Sequence, residues 1–138
     1  MTTVCFDGET LASDSRMHGD KEYYQDNCKK IFKVGASYIG IAGDVSEGLL
    51  FLRWRKDMTK EKPELTDAFD ALEIKDGIAY QWDKYLILLE LGKTAAIGSG
   101  CQFAIAAMEC GKTAKEAIEV AKKFDSGTGG KVKAVKIK

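Results

Sequence analysis

Six short motifs gather hydroxyl, carboxylate, ammonium and glycine groups along this sequence. In chain order they are Thr2-Thr3-Val4, Ala12-Ser13-Asp14-Ser15-Arg16, Lys29-Lys30-Ile31, Ile41-Ala42-Gly43, Ile97-Gly98-Ser99-Gly100 and Asp125-Ser126-Gly127-Thr128-Gly129-Gly130. A threonine at a free N-terminus carries its own base, because an α-amine with a pKa of about 7.7–8.0 can take the hydroxyl proton. Thr2 gains such an amine once Met1 is removed, and its small side chain suits removal by a methionine aminopeptidase. Taken alone, Thr2 is more simply explained as the first residue of a strand.

The cysteines and the histidine give no sign of a metal site. Four cysteines are widely scattered without a C-x-x-C pair, and His18 is the only histidine, so we expect no zinc and no cofactor. Cys5 lies in a predicted strand, and Cys101 and Cys110 lie in a predicted helix, where cysteine behaves as a small buried apolar residue. The sequence therefore predicts reduced thiols.

Length and composition predict one domain, residues 1–138, built around one core. Apolar residues make up 45% and charged residues 30% of the chain, as in ordinary globular proteins. Because 21 basic residues balance 21 acidic ones, the basic surface of a nucleic-acid-binding protein is not expected. No apolar run approaches the roughly 18 residues of a membrane helix, and the start does not resemble a secretory signal. These features predict a cytoplasmic protein that binds neither nucleic acid nor membrane.

Turn signals divide the first half of the chain into two hairpins and a helix. Asp7-Gly8 predicts a type I′ turn between strands at 2–6 and 9–13. The polar residues 15–27 predict a loop, and strands at 31–34 and 37–42 predict a second hairpin that turns near Gly35. Ser46 is the predicted N-cap of a helix that ends before Pro63, and residues 64–72 predict one or two further helical turns.

The second half repeats the order of strands followed by helices. Asp76-Gly77 predicts a turn between strands at 74–75 and 78–82, and further strands are predicted at 85–91 and 93–97. Helices are predicted at 101–109, ending at Gly111, and from Thr113, which forms a capping box with Glu116. A terminal strand is predicted at 132–137. Strands in two blocks, each followed by helices, indicate two stacked sheets covered by helices.

In this order, and at these strand and helix boundaries, the six motifs resemble the proteasome β-subunit family, including the bacterial proteasome-like peptidases. The resemblance runs from residue 2 to about residue 130 and is weaker between residues 55 and 85. It implies an α+β fold of N-terminal-nucleophile (Ntn) hydrolase type, a four-layer α-β-β-α sandwich of two antiparallel sheets flanked by helices. It also implies that Thr2 lies at one end of the sandwich.

The resemblance implies a role for each matched residue. Thr2 would be the nucleophile. Lys30 would be the lysine whose charge lowers the pKa of the Thr2 hydroxyl, and Asp14 would be the ion-pair partner of Lys30. Strand alternation lets only one of Lys29 and Lys30 point inward, and the family pattern selects Lys30. The remaining matches are Gly43, whose backbone N–H would hold an oxyanion, and Ser99, Asp125 and Thr128, which would support the threonine amine. Serine is more frequent than threonine at the position of Thr128.

The function implied is that of a threonine peptidase subunit in a homo-oligomeric ring or related assembly. It would cleave peptides or unfolded protein through an acyl-ester on Thr2, with an ATPase unfoldase as a further partner. The helices that begin at Ser46 and Cys101 would contact neighbouring subunits. Two alternatives stay open: an Ntn amidohydrolase that acts on a small amide, and a non-catalytic proteasome-like scaffold or binding protein that oligomerises or binds a partner without turnover. Asp44, where many relatives have a small residue, favours the scaffold.

Overall fold

A computed structural model describes residues 2–18 and 24–137. The strands are β1 Val4–Phe6, β2 Thr10–Ser13, β3 Met17–His18, β4 Tyr24–Gln25, β5 Ile31–Val34, β6 Ser37–Gly43, β7 Phe69–Lys75, β8 Ile78–Trp82, β9 Leu88–Gly92, β10 Ala95–Ile97 and β11 Lys133–Lys136. The helices are α1 Val45–Lys56, α2 Cys101–Glu109 and α3 Ala114–Phe124. None of the helices in these ranges is long and apolar enough to cross a membrane.

The fold is built on two antiparallel sheets. One sheet has the strand order β10-β1-β2-β11, the other has the order β5-β6-β7-β8-β9, and β3 pairs with β4 alone. The sheets do not follow the two blocks seen in the sequence, because the hairpin of β5 and β6 extends β7–β9 while β10 returns to pair with β1. Strands from both ends of the chain therefore lie in the same sheet.

Side-chain alternation along the strands fills three apolar layers. Val4 and Phe6 point between the sheets and pack with Leu72 of β7, whereas Cys5 points to the other side and packs with α2 and α3. The outer face of the five-stranded sheet packs against α1 through a cluster that comprises Val34, Ile39, Ile41, Phe51, Leu52, Trp54, Phe69, Ala71, Trp82 and Leu86. The predicted four-layer α-β-β-α sandwich is confirmed.

The two Asp-Gly turns differ in geometry. Asp76 and Gly77 both have positive φ values, 52° and 76°, as a type I′ turn requires. At the first hairpin only Gly8 has a positive φ, 101°, and the Asp7 carboxylate accepts hydrogen bonds from the backbone N–H groups of Glu9 and Thr10. The hairpin is correct, but the type I′ turn predicted there is wrong.

Two predictions around α1 are also wrong. The N-cap is Asp44 rather than Ser46, because the Asp44 carboxylate accepts a hydrogen bond from the Glu47 N–H at 3.0 Å. No helical turns form at 64–72, and β7 begins instead at Phe69. Residues of β7 point alternately toward α1 and toward the layer between the sheets. Because both faces carry apolar side chains, the sequence does not show the apolar-polar alternation that indicates a strand.

The last third of the chain follows the prediction closely. The capping box of Thr113 and Glu116 is present at the start of α3, and β11 falls within the predicted terminal strand. Cys5 is buried as expected, but Cys110 is exposed at the end of α2, so the expectation of burial is wrong there. The predicted loop at 15–27 contains β3 and β4, while its residues 19–23 lie outside the described residues.

A buried carboxylate ties α1 to the five-stranded sheet. Glu73 is 3% exposed and accepts two hydrogen bonds from Arg55 at 2.7 and 3.0 Å. Ser37 and the Trp82 indole donate to the same carboxylate at 2.7 and 2.9 Å. Burial raises the pKa of Glu73, but these hydrogen bonds outweigh burial and hold the pKa below its usual value. The network joins β6, β7, β8 and α1 through one ionised group.

Glu73→Ala is expected to lower the free energy of unfolding by about 3 kcal/mol, because it leaves buried donors and a partly buried guanidinium without their acceptor. Urea unfolding followed by tryptophan fluorescence measures the change. Asp67→Ala is the control, since the Asp67 side chain is 91% exposed where it pairs with Lys84, and it should leave the midpoint unchanged. Equal effects of the two substitutions would contradict the role given to Glu73.

Candidate active site

Thr2, Asp14 and Lys30 meet where three strands begin or end. Thr2 precedes β1, Asp14 follows β2 and Lys30 precedes β5. Since β1 and β2 are antiparallel with Val4 opposite Ser13, the start of one strand lies beside the end of the other. The Lys30 Nζ lies 2.7 Å from the Thr2 Oγ1 and 2.8 Å from the Asp14 Oδ1. The ion pair expected from the sequence is therefore present and contacts the threonine hydroxyl.

The ion pair is withdrawn from solvent, with side-chain exposures of 4% for Lys30 and 0% for Asp14. Burial lowers the pKa of Lys30, while the charge and hydrogen bond of Asp14 oppose this shift. Asp14 also accepts hydrogen bonds from the backbone N–H groups of Thr3, Arg16 and Gly129 at 3.0–3.3 Å. A buried pair is stable only when its remaining hydrogen-bonding capacity is met in this way. Lys29 lies outside the pair, with its Nζ 5.0 Å from the centre of the Phe32 ring.

A second set of hydrogen bonds begins at the backbone nitrogen of Thr2. This nitrogen donates to the Ser99 Oγ at 3.1 Å, and Ser99 donates to the Asp125 Oδ2 at 2.6 Å. Thr128 donates to the same oxygen at 2.5 Å. Partial burial raises the pKa of Asp125, but hydrogen bonds from Ser99, Thr128 and the Gly127 N–H outweigh it and lower the pKa. Asp125 is thus held as a carboxylate one serine away from the Thr2 nitrogen.

Two residues that the sequence did not single out complete these contacts. The Thr3 Oγ1 lies 2.7 Å from the Thr128 Oγ1, and the Thr3 N–H donates to Asp14. Thr3 therefore joins the two hydrogen-bonded groups. Gly129 donates its N–H to the Asp14 Oδ2 at 3.0 Å. Both residues belong to motifs already recognised, so their position inside those motifs was the available signal.

Gly43 ends β6 with a φ of +88°, a conformation that strongly favours glycine. A Cβ atom at this position would lie 1.8 Å from the Ala68 carbonyl oxygen. The next N–H, that of Asp44, donates to the same carbonyl at 2.7 Å. Packing at the strand-to-helix junction therefore demands glycine here, whatever chemistry its N–H performs.

A cleft of about 690 Å³ opens beside Thr2. Four of the predicted residues line it, namely Thr2, Lys30, Gly43 and Ser99, whereas Asp14, Asp125 and Thr128 do not. Asp70 and Gln81 also line the cleft. Within residues 2–18 and 24–137, no group of three or more histidine, cysteine or acidic residues is placed to hold a metal ion.

Solved structures with the same architecture match nearly the whole chain. BPH of Thiobacillus denitrificans in complex with epoxomicin superposes with a TM-score of 0.77 at 18% identity, over 98% of this chain and 97% of that chain. A second structure of that BPH gives 0.76 at 18% identity, over 98% and 96% of the two chains. Eukaryotic HslV from Trypanosoma brucei gives 0.72 at 17% identity, over 96% and 97%.

The chain thus has the α-β-β-α sandwich fold of these solved structures, which confirms the fold that the six motifs implied. Comparison with protein-family models gives no match, and comparison with curated proteins gives none.

Proposed function

We propose that this chain is a proteasome-like N-terminal threonine peptidase, one domain over residues 1–138, active after Met1 is removed. The observation that carries the proposal is the placement of the Lys30 Nζ within hydrogen-bond distance of both the Thr2 Oγ1 and Asp14. An ammonium at that point favours the ionised hydroxyl, since an opposite charge at this range lowers the pKa of an acid. Asp14 in turn orients the lysine. Thr2 is then the nucleophile, and its free amine is the base.

The reaction follows from these positions. The Thr2 amine takes the Oγ1 proton as the oxygen attacks the peptide carbonyl, and the Gly43 N–H in the cleft receives the developing oxyanion. Collapse of this adduct breaks the peptide C–N bond, and the amine returns the proton to the leaving nitrogen. Water, deprotonated by the same amine, then hydrolyses the acyl-ester on Thr2. The chain of Ser99, Asp125 and Thr128 supports the amine through both steps.

Self-association is part of the proposal, with a ring or related homo-oligomer in the cytoplasm as the form expected and an ATPase unfoldase as a further partner. Exposed apolar side chains support it on the helices that the sequence indicated, with Leu49 and Leu50 on α1 and Phe103 on α2 at 37–49% exposure. A second exposed apolar group was not predicted and lies around β9, where Tyr85, Ile87, Leu88 and Leu89 are 45–68% exposed. Surfaces of this kind mark protein contacts.

Sedimentation velocity should show species larger than the 15.1 kDa monomer, and a monomer at high concentration would contradict this.

The proposal is tested by preparing the chain with Thr2 exposed and confirming the loss of Met1 by intact mass. Short fluorogenic peptides measure hydrolysis, and epoxomicin, the compound present in one BPH complex, is the first ligand to test for a mass increase. The proposal is supported if the processed form hydrolyses the peptides and the Met1-bearing form does not. If the processed protein neither cleaves peptides nor takes up the ligand, the peptidase proposal is wrong and the scaffold alternative replaces it.

A further inference from the structure

A carboxylate that the proposed mechanism does not use faces the same cleft as Thr2. Asp70 lies on β7, directly opposite Ala42 of β6. Its side chain shares the face of Leu72 and Ile74, which pack between the two sheets. Asp70 is therefore at the open end of the layer between the sheets, one residue along β7 from Phe69, the partner of Gly43.

Among the described residues, no lysine or arginine forms an ion pair with Asp70. Within the described ranges its side-chain hydrogen bond comes from the neutral amide of Gln81, whose Nε2 lies 2.9 Å from the Asp70 Oδ1. Partial burial raises the pKa of Asp70, an effect that the negative charge of Asp83 reinforces and the Gln81 hydrogen bond opposes. The lysine and the arginine that line the cleft already contact other carboxylates, Lys30 that of Asp14 and Arg16 that of Asp26. A carboxylate removed from water gains most from a charged hydrogen-bond donor.

We propose that Asp70 selects a substrate with a lysine or arginine side chain on the residue whose carbonyl Thr2 attacks. Gly43 and Asp70 both line the cleft, and adjacent strands lie about 5 Å apart. A side chain as long as arginine, next to a carbonyl at the Gly43 N–H, therefore extends across β6 toward Asp70 on β7. The guanidinium or ammonium of the substrate takes the place of bulk water beside the Asp70 carboxylate, while Gln81 keeps its hydrogen bond to the Asp70 Oδ1. This inference rests on the proposed function, of which it specifies the substrate class.

Arginine and citrulline give a matched pair of substrates, because the two side chains have the same shape and differ in charge. Two fluorogenic peptides that differ only in this residue before the scissile bond are compared by kcat/KM with Thr2-exposed protein. The arginine peptide is expected to be preferred about tenfold, the effect of one hydrogen bond to a charged group. Asp70→Asn keeps the shape of the side chain and should bring the ratio close to one while citrulline peptide hydrolysis persists. Asp67→Asn, at the exposed rim of the cleft, should keep the preference.

Binding provides a readout that does not depend on turnover. Chemical shifts of the Asp70 and Gln81 backbone amides in the Met1-bearing chain are followed while acetyl-arginine amide or acetyl-citrulline amide is added. Larger shifts with the arginine compound, lost in Asp70→Asn, support the inference even if no peptide is cleaved, in which case only the proposed function fails. The inference would be overturned by equal kcat/KM for the two peptides, by equal shifts with the two amides, or by a preference that survives Asp70→Asn. If both peptides are cleaved with equal kcat/KM, the peptidase proposal still stands.

Discussion

Thr2→Ala is expected to reduce peptide hydrolysis by the processed protein by at least about a thousandfold, since it removes the attacking atom itself. The Thr2→Ala chain still loses Met1 readily, because alanine is small, so the amine is present in both forms and only the hydroxyl differs. Thr2→Ser is the matched variant, which restores the hydroxyl and should restore measurable hydrolysis. The rates are measured with the fluorogenic peptides on samples whose processing has been verified by mass.

The same substitution should leave the fold intact. Among the described contacts, the Thr2 hydroxyl accepts a hydrogen bond from Lys30, and Lys30 keeps its contact with Asp14 when the hydroxyl is absent. The free energy of unfolding should therefore change by only about 1 kcal/mol. Hydrolysis by Thr2→Ala at the rate of the unaltered protein would falsify the assignment of Thr2 as nucleophile.

Lys30→Met is expected to abolish hydrolysis and also to destabilise the protein by about 3–5 kcal/mol, because it leaves the fully buried Asp14 carboxylate without its counter-ion. Methionine preserves most of the volume of the lysine side chain, so the loss of stability reports the charge rather than a cavity. Thermal or urea unfolding measures the stability, and the fluorogenic peptides measure the activity.

The double variant Asp14→Asn with Lys30→Met separates these two effects. It removes both charges, so it should regain most of the stability lost in Lys30→Met. It should not regain hydrolysis, because the positive charge beside the Thr2 hydroxyl is still missing. If the double variant were active, Lys30 would be a structural residue and the mechanism given for Thr2 would be wrong.

Local signals in the sequence were reliable wherever one short segment determines the structure. The capping box at Thr113 was predicted because both partners lie within four residues. The N-cap of α1 was missed because Asp44 and Ser46 can both cap a helix, and the choice between them depends on where β6 ends. The strand β7 was mistaken for helical turns because its polar residues, Asp70 and Glu73, find their partners on other elements.

The candidate site shows the same division. Thr2, Asp14 and Lys30 were identified through motifs whose order resembles a known family, and strand alternation correctly left a single lysine facing inward. Gly129 is different, because its contact with Asp14 joins residues 115 positions apart. Asp70 carries no motif at all. Its place in the cleft follows only from the pairing of β6 with β7, which no local pattern specifies.

The burial of the chain start has a consequence for the order of events during synthesis. Thr2 is 3% exposed in the folded protein, so the proposed removal of Met1 is expected to precede the closing of the strands around Thr2. That closure waits for Ser99, 97 residues further along, and for Gly129. At about 5–20 residues per second, the ribosome needs roughly 6–25 seconds to reach Gly129, and the N-terminus stays accessible during that time. On the proposed mechanism, slower translation is therefore expected to raise the fraction of molecules with a free Thr2 amine.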